Sequence, residues 1–185
     1  MSARIFAFAT LCLLQLGAAA SGIARYERTL SEGKAVLLAV APVDPADPFR
    51  GRYVSLSFDL ERADHRLQGP APRYDEPAYV VLKLDAQSVA TVDYVTATKP
   101  KGGVYLRAQS SWQESDTTIH VSLPLDRYYM NEELAPAAEA AYLKAVQRAD
   151  GPKNYARVRI LEGRSAIEAV LLGGIPIEQA ARAQY

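Results

Sequence analysis

Four carboxylates, Asp44, Asp47, Asp59 and Glu61, crowd one short stretch of the chain. Two chemistries use such density: an oxygen-rich calcium site, or an acid–base pair of the glycosidase kind. The local sequence favours a plainer role. Asp44 and Asp47 each stand two residues or fewer from a proline, where an aspartate side chain closes a turn on its own backbone. Asp59 falls on the outward face of an alternating run and is expected in solvent. The only two histidines, His65 and His120, show neither the His-x-His nor the His-Glu-x-x-His spacing of a zinc site. Cys12 lies in an apolar run, where low polarity raises a thiol's pKa and leaves it a small apolar filler. No Gly-x-Ser-x-Gly elbow is present to support a serine nucleophile. The reading is therefore non-enzymatic, with no catalytic, cofactor-binding or metal-ligating set and no cofactor.

Composition narrows the classes further. Lys+Arg 21 against Asp+Glu 21 in 185 residues leaves no basic footprint for nucleic acid. One cysteine excludes an internal disulfide framework. The length suits one compact domain. Eleven tyrosines are the notable excess. Tyr53, Tyr105 and Tyr155 alternate with aliphatic neighbours, and Tyr128 and Tyr129 are adjacent after Arg127. Two readings stand side by side: sheet faces covered by other elements, or an amphipathic patch that meets a protein or glycan, with Arg127, Tyr128 and Tyr129 as its candidates.

Positioning these residues requires elements, and hydrophobic periodicity supplies them. Eight strands are predicted. Ala35–Val40 is a short apolar run, and Tyr53–Leu60 alternates with Val54, Leu56, Phe58 and Leu60 inward. Tyr79–Asp85, Val89–Ala97, Val104–Gln109 and Thr117–Leu123 follow, then Tyr155–Leu161 and Ser165–Leu172 around Glu162-Gly163, a two-residue hairpin signal. Tyr26–Gly33 reads as a polar exit turn and Glu61–Pro77 as a long mobile loop. Leu134, Ala138, Ala141, Tyr142 and Ala145 make a helical stripe, with Asn131 as its cap, Glu132 and Glu133 in its first turn and Gly151-Pro152 as its stop. The fold class expected is mainly β with one long helix, a β-sandwich or curled antiparallel sheet with the helix packed on it, preceded by an N-terminal transmembrane helix. The division expected is 1–25 anchor or uncleaved signal, 26–178 β-rich domain, 179–185 frayed tail.

Between Arg4 and Arg25 no charged side chain occurs. About twenty residues at about 1.5 Å each span about 30 Å, the thickness of a bilayer's hydrocarbon core. The same segment also fits a secretory signal, with Ile5–Leu16 as its apolar core and Ala18-Ala19-Ala20 as the small-residue cleavage site. A retained anchor and cleavage after Ala20 are both open at this point.

The run from Pro42 to Phe58, Pro-Val-Asp-Pro-Ala-Asp-Pro-Phe-Arg-Gly-Arg-Tyr-Val-Ser-Leu-Ser-Phe, resembles the signature of the GDYXXLXY family. There a proline-rich turn delivers Gly-Asp-Tyr into a strand that continues x-x-Leu-x-Tyr. The motif positions here are Gly51, Arg52, Tyr53, Leu56 and Phe58, and the flanking turn holds Pro42, Asp44, Pro45, Asp47 and Arg50. Arg28-Thr29-Leu30 with Gly33, and Leu125-Asp126-Arg127-Tyr128-Tyr129-Met130, extend the likeness over most of the chain. Two positions depart from the pattern. Phe58 replaces the last tyrosine and loses only a hydroxyl, whereas Arg52 replaces the aspartate and reverses a charge. A role that needed a carboxylate beside Gly51 is not expected.

The resemblance implies a bacterial inner-membrane protein whose main domain is periplasmic, with the membrane and a multi-pass integral membrane protein as partners. The functional expectation is an accessory or sensor domain without nucleic-acid binding. The alternative is a periplasmic small-molecule-binding protein or hydrolase released after Ala20, with the loop of residues 61–77 as a lid over a tyrosine-lined cavity.

Overall fold

The computed structural model describes residues 3–41, 53–115, 117–147 and 153–183, without the side chains of 112–115. Helix α1 covers Ala3–Glu32. It is one continuous rod of about 45 Å; no proline interrupts it before Gly33, and Gly17 and Gly22 are carried within it. The exit turn expected from Tyr26 is thus two more helical turns. Thr29 is the first residue of the helix to be buried, and its carbonyl accepts the backbone N–H of Gly33 at 3.0 Å, ending the helix.

The strands then run β1 (Lys34–Ala41), β2 (Tyr53–Ser55), β3 (Ser57–Phe58), β4 (His65–Arg66), β5 (Pro77–Leu84), β6 (Ala90–Thr96), β7 (Val104–Ser115), β8 (Thr118–Ser122), β9 (Arg127–Tyr129), β10 (Tyr155–Leu161), β11 (Arg164–Leu172) and β12 (Ile175–Pro176). Helix α2 (Ala135–Val146) precedes β10, and α3 (Ile177–Arg182) follows β12. Two five-stranded antiparallel sheets result, β12-β11-β10-β1-β3 and β4-β8-β7-β5-β6, with the pair β2-β9 beside them. The arrangement is sandwich-like. One continuous core draws Val36, Leu38, Val158 and Ile160 from the first sheet and Val80, Leu82, Leu106 and Val121 from the second.

Alternation does what it should in the motif strand: Val54, Leu56 and Phe58 are buried. The single strand expected over Tyr53–Leu60 is nevertheless two. At Leu56 the chain changes partner: its N–H donates to the Asp126 carbonyl at 2.9 Å, so β2 pairs with β9 while β3 pairs with β1. A short 3-10 turn, Asp59–Arg62, then takes the place of the strand's end.

Three further expectations need correction. The stretch 61–77 is fastened, not free. His65 and Arg66 pair with β8, the Gln68 N–H donates to the Val95 carbonyl at 2.8 Å, and the buried Ser110 hydroxyl bonds the Arg73 and Glu76 carbonyls. Helix α2 begins at Ala135, so Glu132 and Glu133 precede its first turn. Asn131 instead closes a turn ahead of it, its Oδ1 accepting the Glu133 N–H at 2.8 Å, because proline is tolerated only at the start of a helix and Pro136 sits there. The tail expected from 179 is the body of α3, whose Ile177 and Ala181 are buried. Of the two readings open for Tyr105, the covered face is the one observed: Tyr105 is buried and meets Tyr79 edge-on at 5.9 Å.

Candidate functional site

Two segments far apart in sequence meet on the β2-β9 pair. Its register sets Tyr53 opposite Tyr129, Val54 opposite Tyr128 and Ser55 opposite Arg127. The Tyr53 and Tyr129 rings meet edge to face at 5.8 Å, and the Arg127 guanidinium lies 5.1 Å from the Tyr53 ring centre, a cation–π contact. A hydrogen bond with Tyr129, then the nearby Asp126 carboxylate, raises the Arg127 pKa above its ordinary value. Tyr128 points the other way. Its hydroxyl donates to Glu178 Oε1 at 2.6 Å and ties this strand to α3. Burial first, then that carboxylate, push its pKa well up, so it acts as a neutral donor and not as a phenolate.

Next to this pair the last turns of α1 meet the sheets, and two grooves open there. One, about 540 Å³, runs between Tyr26, Leu125, Tyr129 and Ile167. The second, about 640 Å³, lies between Arg25, Thr29, Arg107 and Arg164. Tyr26, Pro124 and Ser165 line both. The floor is rigid. Arg159 grips Glu168 with two hydrogen bonds of 2.6 and 3.1 Å and donates to the Gly33 carbonyl at 3.2 Å. The same contact holds the Glu168 carboxyl below its ordinary pKa. This clamp fixes the direction in which α1 leaves the domain.

A family model described as GDYXXLXY protein matches residues 15–170. The chain belongs to the GDYXXLXY family. No curated protein and no solved structure matches it. In this GDYXXLXY protein the motif residues Tyr53, Leu56 and Phe58 therefore have visible roles. Leu56 and Phe58 anchor the core, and Tyr53 supplies the ring on which Arg127 rests. Gly51 and Arg52, with the flanking Pro42, Asp44, Pro45, Asp47 and Arg50, lie outside the described residues.

Among the described residues, the remaining candidates are not brought together into one cluster. Glu61 is a structural clamp: its two oxygens accept the backbone N–H groups of Phe58 at 3.0 Å and Leu123 at 2.8 Å. Burial raises its pKa, and those two hydrogen bonds offset part of the rise. His65 bonds the Leu60 carbonyl, and His120 pairs with Asp64. Among the described residues no three His, Cys, Asp or Glu side chains gather as a metal site would need. Reading the sequence alone missed the grouping of Arg25, Arg107 and Arg164. They come from α1, β7 and β11, and no local spacing relates them. Burial of Glu61 was equally hidden, although its place after an alternating apolar strand was a usable signal.

Proposed function

We propose that the protein is a membrane-anchored, non-enzymatic accessory or sensor subunit on the periplasmic side of the bacterial inner membrane, working with a multi-pass membrane protein. The observation that carries this reading is α1 itself. It is long and apolar enough to cross a membrane, and its apolar window is wholly unburied by the rest of the protein. Ile5, Phe6, Phe8, Leu11, Leu13 and Leu14 are all more than half exposed, which water penalises and lipid does not. The helix then enters the domain without a joint, locked by Thr29, Gly33 and Arg159. A simple tether needs no such lock. A subunit that passes a tilt or shift of its helix to a folded domain does.

Partnership rests on the family likeness and on the exposed aromatic pair at Tyr26 and Tyr129, next to the helix exit. Tyrosine at that level suits both a protein interface and the membrane–water boundary. Purification of the full chain in mild detergent after cross-linking is expected to bring down one multi-pass membrane protein. A reporter fused after Tyr185 is expected on the periplasmic side. A lone monomer after cross-linking, or a cytoplasmic reporter, overturns the proposal.

A further inference from the structure

The arginine-lined groove sits at a defined height. The apolar span ends at Ala24, and the groove is walled by α1 residues Arg25 to Thr29, reaching about 6 Å further along the helix. The headgroup layer adds about 5–7 Å to each side of the hydrocarbon core. If α1 spans a bilayer, the groove therefore lies within the headgroup layer. Three arginines line it, and no carboxylate does. Arg25 turns back to Ser21, its Nε donating to the Ser21 carbonyl at 3.1 Å. Arg107 is exposed and has no ion-pair partner among the described residues. Arg164 reaches Glu162 only at 3.7 Å.

Charge continues beyond the hairpin turn at Gly163. A third groove there, about 540 Å³, is lined by Lys34, Lys99 and Lys101, with Glu162 as its one acid. The formal net charge of the whole chain is +0, so this face concentrates cations that the rest of the molecule balances. Gln109 and Ser165 add polar groups to the arginine groove, and guanidinium groups offer the paired donors that phosphate oxygens accept.

We infer that this groove binds the phosphate headgroup of an anionic phospholipid from the leaflet that α1 leaves. The inference rests on α1 lying in a membrane, but not on which side the domain faces. Bound there, a headgroup neutralises Arg107 and Arg164 and fixes the domain's height and rotation against the bilayer. Lysines at the neighbouring groove strengthen the attraction without specific geometry.

The test uses the full chain in neutral detergent, with lipid retention read by native mass spectrometry. Phosphatidylglycerol and phosphatidylcholine, which share the phosphate but differ in net charge, are the probes. Phosphatidylglycerol is expected to be retained preferentially. R107Q/R164Q is expected to weaken that retention about 25-fold, at about fivefold per arginine. R107K/R164K, which keeps the charge but loses the paired donors, is expected to fall between that variant and the wild type, and K144Q/R182Q, which removes equal charge from α2 and α3, leaves retention unchanged. Three results overturn the inference: equal retention by R107Q/R164Q, displacement of the lipid by millimolar inorganic phosphate, or loss of a co-purifying protein with lipid retention intact. The first denies the groove, the second marks a free-anion site, and the third assigns the arginines to an acidic protein segment. Alkaline extraction of membranes runs alongside. Release of the wild-type chain there defeats the membrane reading itself, whereas a retained chain with unselective lipid binding defeats the groove alone.

Discussion

The hydroxyl of Tyr142 donates to the Ala41 carbonyl at 2.7 Å across the core, joining α2 to the last residue of β1. Tyr142 is fully buried, and burial pushes its pKa up to about 12, so the bond holds across the physiological pH range. Tyr142→Phe keeps the ring and leaves a buried carbonyl without its donor. A loss of about 1–3 kcal/mol is expected, read as a lower denaturant midpoint at unchanged slope. Two glutamates give opposite pH signatures. The Glu168 pKa is lowered in the folded state by Arg159, so the folded protein binds fewer protons than the unfolded chain below about pH 4.3. Its stabilisation is present above that pH and is lost as pH falls through the folded value. Glu61 is the reverse case. Its raised pKa means the folded state holds the proton longer, so its contribution is lost as pH rises from about 4.3 through the folded value. Stability curves against pH should therefore fall less steeply on the acid side in Glu168→Gln. An unchanged acid limb in that variant contradicts the clamp.

At the scale of elements, two glycines decide how the parts join. A Cβ at Gly33 would stand 2.3 Å from the Thr29 carbonyl oxygen and 3.0 Å from the Ile160 backbone nitrogen. Both are backbone atoms that cannot yield without moving α1 off β10. Gly33→Ala is expected to cost at least about 1–3 kcal/mol and to loosen the helix exit, seen as faster amide exchange at Thr29 and Gly33. Gly163 carries two demands at once. Its φ is +87° in the β10–β11 turn, after Glu162 at +53°, and a Cβ would lie 2.8 Å from the Tyr105 ring. Gly163→Asn relieves part of the backbone cost but not the overlap, so a loss of similar size in Gly163→Asn and Gly163→Ala identifies Tyr105 as the main obstacle. The hairpin around Glu162-Gly163 was legible from sequence, and β10 matches the expected Tyr155–Leu161, because turn chemistry and alternation are local. The contact of that turn with β7, through the Arg107 N–H and the Gly163 carbonyl at 2.8 Å, was not legible, being set by how two sheets stack. The same distinction explains the partner change at Leu56. Alternation predicts which side chains face inward but not which neighbour each strand takes. It explains the site too: Arg127, Tyr128 and Tyr129 were visible as a cluster in one word, whereas Arg25, Arg107 and Arg164 are brought together only by tertiary structure.

For the whole molecule, the proposed topology makes the two halves energetically separable. The apolar window of α1 is unburied by the domain, and Leu13 and Leu14 are 69% and 66% exposed. Ile5, Phe6, Phe8, Leu11, Leu13, Leu14, Leu16 and Ile23 favour insertion by about 4 kcal/mol between them, before Gln15 and the small residues subtract. An arginine near the helix centre costs about 2.5–3.5 kcal/mol. Two of them outweigh the whole driving force. L13R/L14R is thus expected to move the full chain into the supernatant of an alkaline wash, while thermal unfolding of the β-rich domain stays within about 0.5 kcal/mol of the wild type. Cleavage after Ala20 predicts a different pattern. The wild-type chain would itself be washed free, and its intact mass would begin at Ser21. A double variant that stays with the membrane would mean that the cationic face, and not α1, holds the protein there.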